Sequence, residues 1–139
     1  MIAPDRGAAL AQAARDLVGV PFRLHGRDPA TGLDCVGVLS AALTATGQGV
    51  RLPTDYSLRM VDVSRFTLRA ADFGFVTVTG PTAVGDVVLF QIGPYQYHMA
   101  IADQGQTYVH AHAGLRRVVN SPALIDWSIF GHWRLGVSN

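Results

Sequence analysis

The chain has 139 residues, a formal net charge of +1, 49% hydrophobic residues and only 15% charged residues. Its 11 basic residues are all arginine and its 10 acidic residues are all aspartate; it therefore lacks the lysine of a phosphate-binding P-loop or a Schiff base and the glutamate of an HExxH metallopeptidase. Near-neutral charge with interleaved arginine and aspartate provides no basic stripe for nucleic acid, and we expect a single folded domain over residues 1–139 with no nucleic-acid partner.

The cysteine count and the N-terminus bear on the cellular compartment. Cys35 is the only cysteine, so the chain cannot form an internal disulfide. The first residues lack the basic and apolar regions of a signal peptide, and no apolar run approaches the roughly 18 residues of a membrane span. We expect a protein that is made in the cytoplasm without a signal peptide or a membrane-spanning segment.

The N-terminal half is predicted to contain two helices separated by a turn-rich loop. Residues 5–18 carry apolar side chains at helical spacing, and Gly19 ends this first helix. A second apolar run over residues 35–46 is also predicted to be helical, which places Cys35 in its first turn. Residues 51–73 are expected to form a loop and a short helix.

The C-terminal half is predicted to form six strands, because runs rich in β-branched and aromatic residues are bounded there by Gly, Pro and Asn. The predicted strands span residues 75–79, 86–92, 97–102, 107–113, 115–119 and 131–137. Two helices ahead of a mostly antiparallel sheet indicate an α+β fold in which the N-terminal helices pack on the sheet.

Cys35 is the candidate nucleophile. A thiol in the first turn of a helix lies against unpaired backbone N–H groups and the positive end of the helix dipole, which stabilise a thiolate and could hold an oxyanion. A lone cysteine is also a common buried core residue, so its catalytic role requires a base within hydrogen-bond reach. Asp34, which precedes it, is placed to cap the helix and could instead meet a substrate amine at the mouth of a cleft.

The predicted hairpin that begins at residue 97 supplies candidate bases. If its loop is the three-residue segment 103–105, His98 pairs with His110. Because strand side chains alternate with a period of two, His112 then lies diagonal to His98 on the same face. A two-residue loop would place His98 opposite Ala111 and remove this alignment.

Given that register, the residues predict familiar thiol chemistry. Cys35 attacks, His98 takes its proton, and His110 orients the other nitrogen of His98, with a thiolate and an imidazolium that stabilise each other near neutral pH. As an alternative, His98, His110 and His112 could bind zinc with Asp34 or water as a fourth ligand. No carboxylate lies at a spacing typical of such a site, and we expect neither a metal nor a cofactor.

Five blocks of sequence resemble the NlpC-type cell-wall cysteine peptidase family, in the order in which that family has them. The blocks are GVPFRLHG, DCVGVL, GDVVLF, HMAIA and VHA, at residues 19–26, 34–39, 85–90, 98–102 and 109–111. The resemblance implies a papain-like fold in which Cys35 matches the nucleophile, His98 the general base and His110 the third polar residue. It also implies hydrolysis of an amide bond in peptidoglycan stem peptides, so a peptidoglycan peptide is the expected substrate.

Two positions depart from the family pattern. Phe22 stands where the family commonly has Tyr, and Val36 where it commonly has Ser directly after the nucleophile. We expect Phe22, Val36, Asp34 and His112 to contact substrate. Both departures make the cleft more apolar than the family norm, which keeps open a thioesterase or acyltransferase of the same architecture. A catalytically silent tail-assembly or wall-binding module is a further alternative.

The run Asp34-Cys35-Val36 also resembles a subtype of the family. An aspartate and a cysteine followed by an apolar residue occur in peptidases encoded with phage tails and with phage-derived gene transfer agents. There the particle delivers the enzyme to the wall, which agrees with the expected absence of an export signal. The resemblance implies phage-like tail or baseplate proteins as partners and a tail particle as the final location.

Overall fold

The computed structural model describes residues 6–47, 74–94, 96–123 and 127–136. Two helices, α1 (Arg6–Arg15) and α2 (Cys35–Ala45), flank a short hairpin of β1 (Arg27–Asp28) and β2 (Gly32–Leu33). A six-stranded sheet follows, formed by β3 (Phe75–Thr77), β4 (Val87–Gly93), β5 (Gln96–Ala102), β6 (Thr107–His112), β7 (Arg117–Pro122) and β8 (Ser128–Leu135). Its strand order is β3-β8-β4-β5-β6-β7, and each described pair is antiparallel.

The predicted α+β layout is confirmed, with small differences at the ends of elements. The first helix ends at Arg15 instead of residue 18, and the last strand begins at Ser128 instead of residue 131. The β1–β2 hairpin lies inside the segment predicted as loop, and the loop and short helix predicted for residues 51–73 lie outside the described residues. None of the helices in the described part of the chain has the length and apolar character needed to cross a membrane.

The first helix packs through small side chains. Ala11 and Ala14 are fully buried beside Leu10, and alanine combines high helix propensity with a small volume that allows close approach to α2 and to the sheet. At the end of α1 the guanidinium of Arg15 donates to both carboxylate oxygens of Asp103, and Asn120 on β7 donates to the same carboxylate at 2.9 Å. Asp103 therefore ties α1 to the β5–β6 loop and to β7.

A buried carboxylate fixes the start of β4. Asp86 is fully buried and accepts from the Ala83 N–H at 2.8 Å and from the Arg134 guanidinium at 2.8 and 3.0 Å, while His132 Nε2 lies 2.6 Å away. Burial alone would raise the pKa of Asp86, but the hydrogen bonds from Arg134, Ala83 and His132 outweigh it and hold that pKa below its ordinary value. Asp86 thus joins β4 to β8.

The sheet is buried on both faces. Leu89, Met99 and Val109 point toward the helices and belong to the main core, whereas Phe90 and Tyr108 pack in a second cluster on the opposite face. Because side chains alternate along a strand, the even-numbered residues of β5 and β6 belong to the second face. The three histidines of these strands are all even-numbered and therefore share it.

Candidate active site

Cys35 is the first residue of α2 and is held there by the residue before it. Asp34 is the N-cap, and its Oδ1 accepts from the Gly37 N–H at 2.8 Å, as predicted. Its Oδ2 accepts from the His25 N–H at 2.7 Å, and the Arg27 guanidinium donates to Oδ1 at 3.1 Å. These bonds join the preceding loop to the first turn of α2 and fix the position of the thiol.

The same loop packs closely against α2 at a glycine. A Cβ atom on Gly37 would lie 2.0 Å from the carbonyl oxygen of Gly26. That oxygen belongs to the backbone, so it cannot move aside as a side chain would. The absence of a side chain at Gly37 is therefore required for the loop to reach the helix beside Cys35.

The sheet opens next to the thiol. In the described ladder, β5 pairs with β6 through only Ile101 and Ala102. The Ala102 N–H donates to the Asp86 carbonyl at 2.8 Å, so the alternating amide directions of an antiparallel ladder turn the Met99 N–H toward β6. The ladder with β6 has ended by this point, and the Met99 N–H is among the backbone groups that act to lower the pKa of the Cys35 thiol.

The β5–β6 loop is longer than predicted. Five residues, 103–107, separate the paired residues Ala102 and Tyr108, where three were predicted. The predicted pairing of His98 with His110 is therefore wrong by two residues. An even shift leaves the alternation of side chains unchanged, so both histidines still lie on one face of the sheet.

Three side chains on that face form an imidazole relay, which consists of His98, His110 and Ser121. His98 Nε2 lies 2.7 Å from His110 Nδ1, and His110 Nε2 lies 2.9 Å from the Ser121 Oγ on β7. His110 is 2% exposed. With its Nε2 occupied by His110, His98 has Nδ1 left to act on another group.

Trp127 covers the relay. Its ring centroid lies 5.4 Å from that of His98 and 5.7 Å from that of His110, with the rings edge-to-face, and 5.3 Å from that of Phe90. These contacts place an indole between the two imidazoles and bulk water on that side. Exclusion of water lowers the local dielectric constant, which strengthens each hydrogen bond of the relay and disfavours a positive charge on the two imidazoles.

The thiol and the histidines line one cleft of about 340 Å³. Its walls include Cys35, His98, His110 and His112, with Phe22, Ile92, Tyr97 and Trp127 among the apolar and aromatic side chains. Among the described residues that line it there is no carboxylate and no guanidinium. The cleft therefore combines one thiol and three imidazoles with mostly apolar walls, which is typical of a small-molecule or peptide site.

Burial controls the charge of the thiol. Cys35 is 6% exposed, and burial, followed by the negative charge of Asp34, raises its pKa to about 11. Hydrogen bonds from the backbone N–H groups of Met99, Val36 and Cys35 itself act in the opposite direction but are outweighed. The thiol is therefore protonated at neutral pH.

Burial also keeps the imidazoles neutral. It lowers the pKa of His98 to about 3, with further lowering from His110 and His112, and it lowers the pKa of His110 to about 4, with His112 as the second cause. Burial of both groups therefore acts against the thiolate–imidazolium pair predicted from the sequence and favours a neutral thiol and a neutral imidazole at rest, in opposition to the stabilisation that a helix terminus provides.

The four residues predicted to contact substrate divide into two pairs. Phe22 and His112 line the cleft. Val36 is half-buried and packs against the main core instead. Asp34 is fully buried with both carboxylate oxygens engaged, so the substrate contact predicted for it has no surface through which to act, and its role is that of the helix cap.

The predicted alternative of a zinc site is not formed. His112 Nδ1 accepts from the Leu115 N–H at 3.0 Å, and the ring centroids of His110 and His112 lie 6.0 Å apart. His98 and His110 direct one nitrogen each at the other. Within the residues that the structure describes, no group of three His, Cys or Asp side chains is arranged to hold a metal ion.

Two residues of the site, Ser121 and Trp127, were not predicted. Val119 is the direct partner of His110 across β6 and β7, so Ser121 meets His110 on the diagonal. Only the register of the β6–β7 ladder identifies Ser121 as a neighbour of His110. Trp127 lies just before β8, where no strand periodicity predicts the direction of a side chain.

Comparison with known proteins agrees with this geometry. The NlpC/P60 family model matches residues 19–128. The matched span contains Cys35, His98, His110 and Ser121. A search of curated proteins found no significant match.

Solved structures show the same fold. NlpC1 from Trichomonas vaginalis has a TM-score of 0.68 and 16% identity over 96% of this chain and 46% of its own, so this chain spans about half of that protein. The NlpC/p60 domain of the peptidoglycan hydrolase SagA has a TM-score of 0.64 and 22% identity over 94% and 99% of the two chains. The P60 domain of an antigen from M. avium subspecies paratuberculosis has a TM-score of 0.62 and 17% identity over 96% of each. These likenesses confirm the predicted papain-like arrangement.

Proposed function

The chain belongs to the NlpC/P60 family, and on that premise we propose that it is a cysteine peptidase that hydrolyses an amide bond in peptidoglycan stem peptides. The observation that carries this proposal is that the Cys35 thiol at the start of α2 and the His98–His110 pair line the same cleft. The choice of substrate is supported by the likeness to the domain of SagA, which is named as a peptidoglycan hydrolase.

The proposed mechanism is acyl transfer through a thioester. Cys35 Sγ attacks the carbonyl carbon of the scissile amide while His98 Nδ1 accepts the thiol proton, and backbone N–H groups at the start of α2 stabilise the oxyanion. His98 then gives this proton to the leaving amine as the C–N bond breaks, which leaves the acyl group on Cys35. Water, deprotonated by His98, attacks the thioester; the acid product leaves and the thiol is restored.

The neutral resting state determines when the proton moves. Because the pKa of Cys35 is raised and that of His98 is lowered, a preformed ion pair is not the attacking species. The proton therefore moves as the sulfur attacks, with His98 acting as a general base. The hydrogen bond from His98 Nε2 to His110 then stabilises the imidazolium that forms.

Digestion of purified sacculi tests the proposal. We expect the protein to release soluble peptide fragments whose new termini, identified by mass spectrometry, lie within the stem peptide. The Cys35→Ala variant, checked for folding by circular dichroism, is the matched control. A folded wild-type protein that releases no fragment from sacculi of several wall chemistries would contradict a peptidoglycan substrate.

A second candidate is a thioesterase or acyltransferase, which the walls of the cleft favour. Ile92 is 38% exposed and lines the cleft beside Tyr97. The Tyr97 ring packs edge-to-face on Phe130, with centroids 5.0 Å apart, and Phe130 is 52% exposed. An apolar surface of this kind suits an acyl chain. Faster turnover of medium-chain acyl thioesters than of stem peptides would favour this candidate over the peptidase.

We also propose that the peptidase is made in the cytoplasm and acts as a component of a phage-like tail, with tail or baseplate proteins as partners. The support is the resemblance of Asp34-Cys35-Val36 to the peptidases of phage tails and gene transfer agents. Mass spectrometry and immunogold microscopy of tail particles from the source organism test it. We expect the chain at the tail tip in a fixed copy number. Its absence from purified particles that are infectious or that transfer genes would contradict a tail role.

A further inference from the structure

We propose that Ser121 is a positioning residue of the imidazole relay: its hydroxyl accepts the His110 Nε2–H while His98 holds the proton taken from Cys35. The geometry that points to it is the 2.9 Å contact between His110 Nε2 and the Ser121 Oγ, at the far end of the 2.7 Å contact between the two imidazoles. The inference rests on the proposed function of Cys35 and His98.

Two proton arrangements satisfy the relay when both rings are neutral. In the first, His98 Nε2–H donates to His110 Nδ1, and His110 Nε2–H donates to the Ser121 Oγ. In the second, every bond is reversed: Ser121 donates to His110, which donates to His98 from Nδ1. The second arrangement places the proton of His98 on Nδ1, so that nitrogen cannot accept a proton from Cys35.

When His98 is charged, only the first arrangement is possible. An imidazolium carries a proton on both nitrogens, so His98 Nε2–H must donate to His110 Nδ1. His110, which remains neutral, then carries its own proton on Nε2 and needs an acceptor there. Among the described residues the Ser121 hydroxyl is the side chain within hydrogen-bond distance of that nitrogen.

The surroundings leave no substitute for this acceptor. His110 is 2% exposed, and Trp127 packs edge-to-face on its ring, so water has little access to Nε2. A buried N–H without an acceptor is costly. Ser121 is placed by the β6–β7 ladder, in which its direct partner is Tyr108, so the strand pairing holds its hydroxyl next to the ring.

Three variants test the role of Ser121 in turnover. Ser121→Ala removes the acceptor and is expected to lower kcat on stem peptides by about tenfold, with KM within about twofold of wild type. Ser121→Thr restores a hydroxyl and is expected to recover most of kcat. Ser40→Ala, on α2, is the matched control and is expected to turn over like wild type. Wild-type kcat in Ser121→Ala, or equal loss in the Thr and Ala variants while both fold normally, would overturn the proposal.

A second readout does not depend on activity. Nitrogen-15 NMR of the imidazole rings reports which nitrogen carries the proton. In wild type at neutral pH we expect His110 to carry it on Nε2, and in Ser121→Ala we expect a shift toward Nδ1. A wild-type His110 protonated on Nδ1, or an unchanged tautomer in Ser121→Ala, would overturn the role of Ser121 even if Cys35 proves to be a peptidase nucleophile. If the tautomers are as expected but the protein does not digest sacculi, the role of Ser121 stands and the proposed substrate is wrong.

Discussion

His98 Nε2 lies 2.7 Å from His110 Nδ1, and this contact separates the tasks of the two nitrogens of His98. Nε2 is bound within the imidazole relay, whereas Nδ1 is the nitrogen that we propose accepts the proton of Cys35. His98 and Cys35 line the same cleft although one lies on the sheet and the other on α2. This is possible because β5 stops pairing with β6 beyond Ile101, which opens the sheet next to the thiol.

Removing His110 is expected to impair turnover more than binding. Without it His98 loses its orienting partner, and His110→Ala should lower kcat on stem peptides on the order of 100-fold, measured by release of fragments from sacculi. His110→Asn offers an amide oxygen to His98 Nε2 and should retain more activity than His110→Ala. His25→Ala, whose side chain is exposed, is the control. A His110→Ala variant with wild-type kcat would contradict an orienting role.

Alkylation of Cys35 should accelerate steadily between about pH 7 and 10, because a pKa of about 11 keeps the thiolate a minor species. The rate with iodoacetamide, followed by intact-protein mass spectrometry, checks this. The urea-unfolded chain is the control and should level off above its ordinary thiol pKa of about 8.5. A plateau below pH 8 in the folded protein would indicate a preformed thiolate–imidazolium pair.

Acid should destabilise the fold through the two imidazoles whose pKa values are lowered, those of His98 and His110. The pKa values of His98 and His110, about 3 and 4, lie below the ordinary value of 6.5, so between these limits the unfolded chain binds more protons than the folded one. The free energy of unfolding should therefore fall as the pH drops from about 6.5 toward 4. Asp86 and Asp103 have pKa values below the ordinary value of 3.8, so their protonation lowers the free energy of unfolding mainly at pH values below this window.

Urea denaturation at pH 7, 5.5 and 4.5 measures this acid dependence. His110→Asn removes one of the two imidazoles whose pKa values are lowered, so its stability should decline less over that range than that of wild type. Equal declines in the two proteins would contradict a neutral, buried His110.

Asp34 should matter for stability more than for substrate binding. Asp34→Ala removes the acceptor for the Gly37 and His25 N–H groups and for the Arg27 guanidinium, and should lower the free energy of unfolding by about 2–3 kcal/mol in urea denaturation. Asp34→Asn keeps one carbonyl acceptor and should lose less. Asp16→Ala, at an exposed aspartate beyond α1, should change stability by less than about 0.5 kcal/mol. An Asp34→Ala loss as small as this control would contradict the cap.

The shared face of the histidines could be predicted from the sequence, whereas their register could not. Alternation along a strand is a local property, and it survives any even change in loop length. The β5–β6 loop begins with Asp103, whose carboxylate is bound by Arg15 and Asn120. Those partners lie far away in the sequence, so no local pattern indicates that Ala102 pairs with Tyr108 instead of Gln106.

The position of Cys35 could also be predicted, but its ionisation could not. The apolar run after Asp34 correctly places the thiol at the start of α2, where the helix terminus stabilises a thiolate by about 1 kcal/mol. Full burial can shift a pKa by several units in the opposite direction. The depth of Cys35 below the surface depends on how the loop and β5 pack around it, which spacing along the chain does not show.

The most direct measurement is the rate at which Cys35→Ala and His98→Ala release stem-peptide fragments from purified sacculi. Each variant is compared with wild type and with His25→Ala after its unfolding curve has been checked. We predict that each catalytic variant loses at least about 10³-fold in kcat and that the double variant is no slower than either single one, since the two side chains act as one unit. Wild-type release of fragments by a folded Cys35→Ala or His98→Ala protein would contradict a Cys35–His98 peptidase.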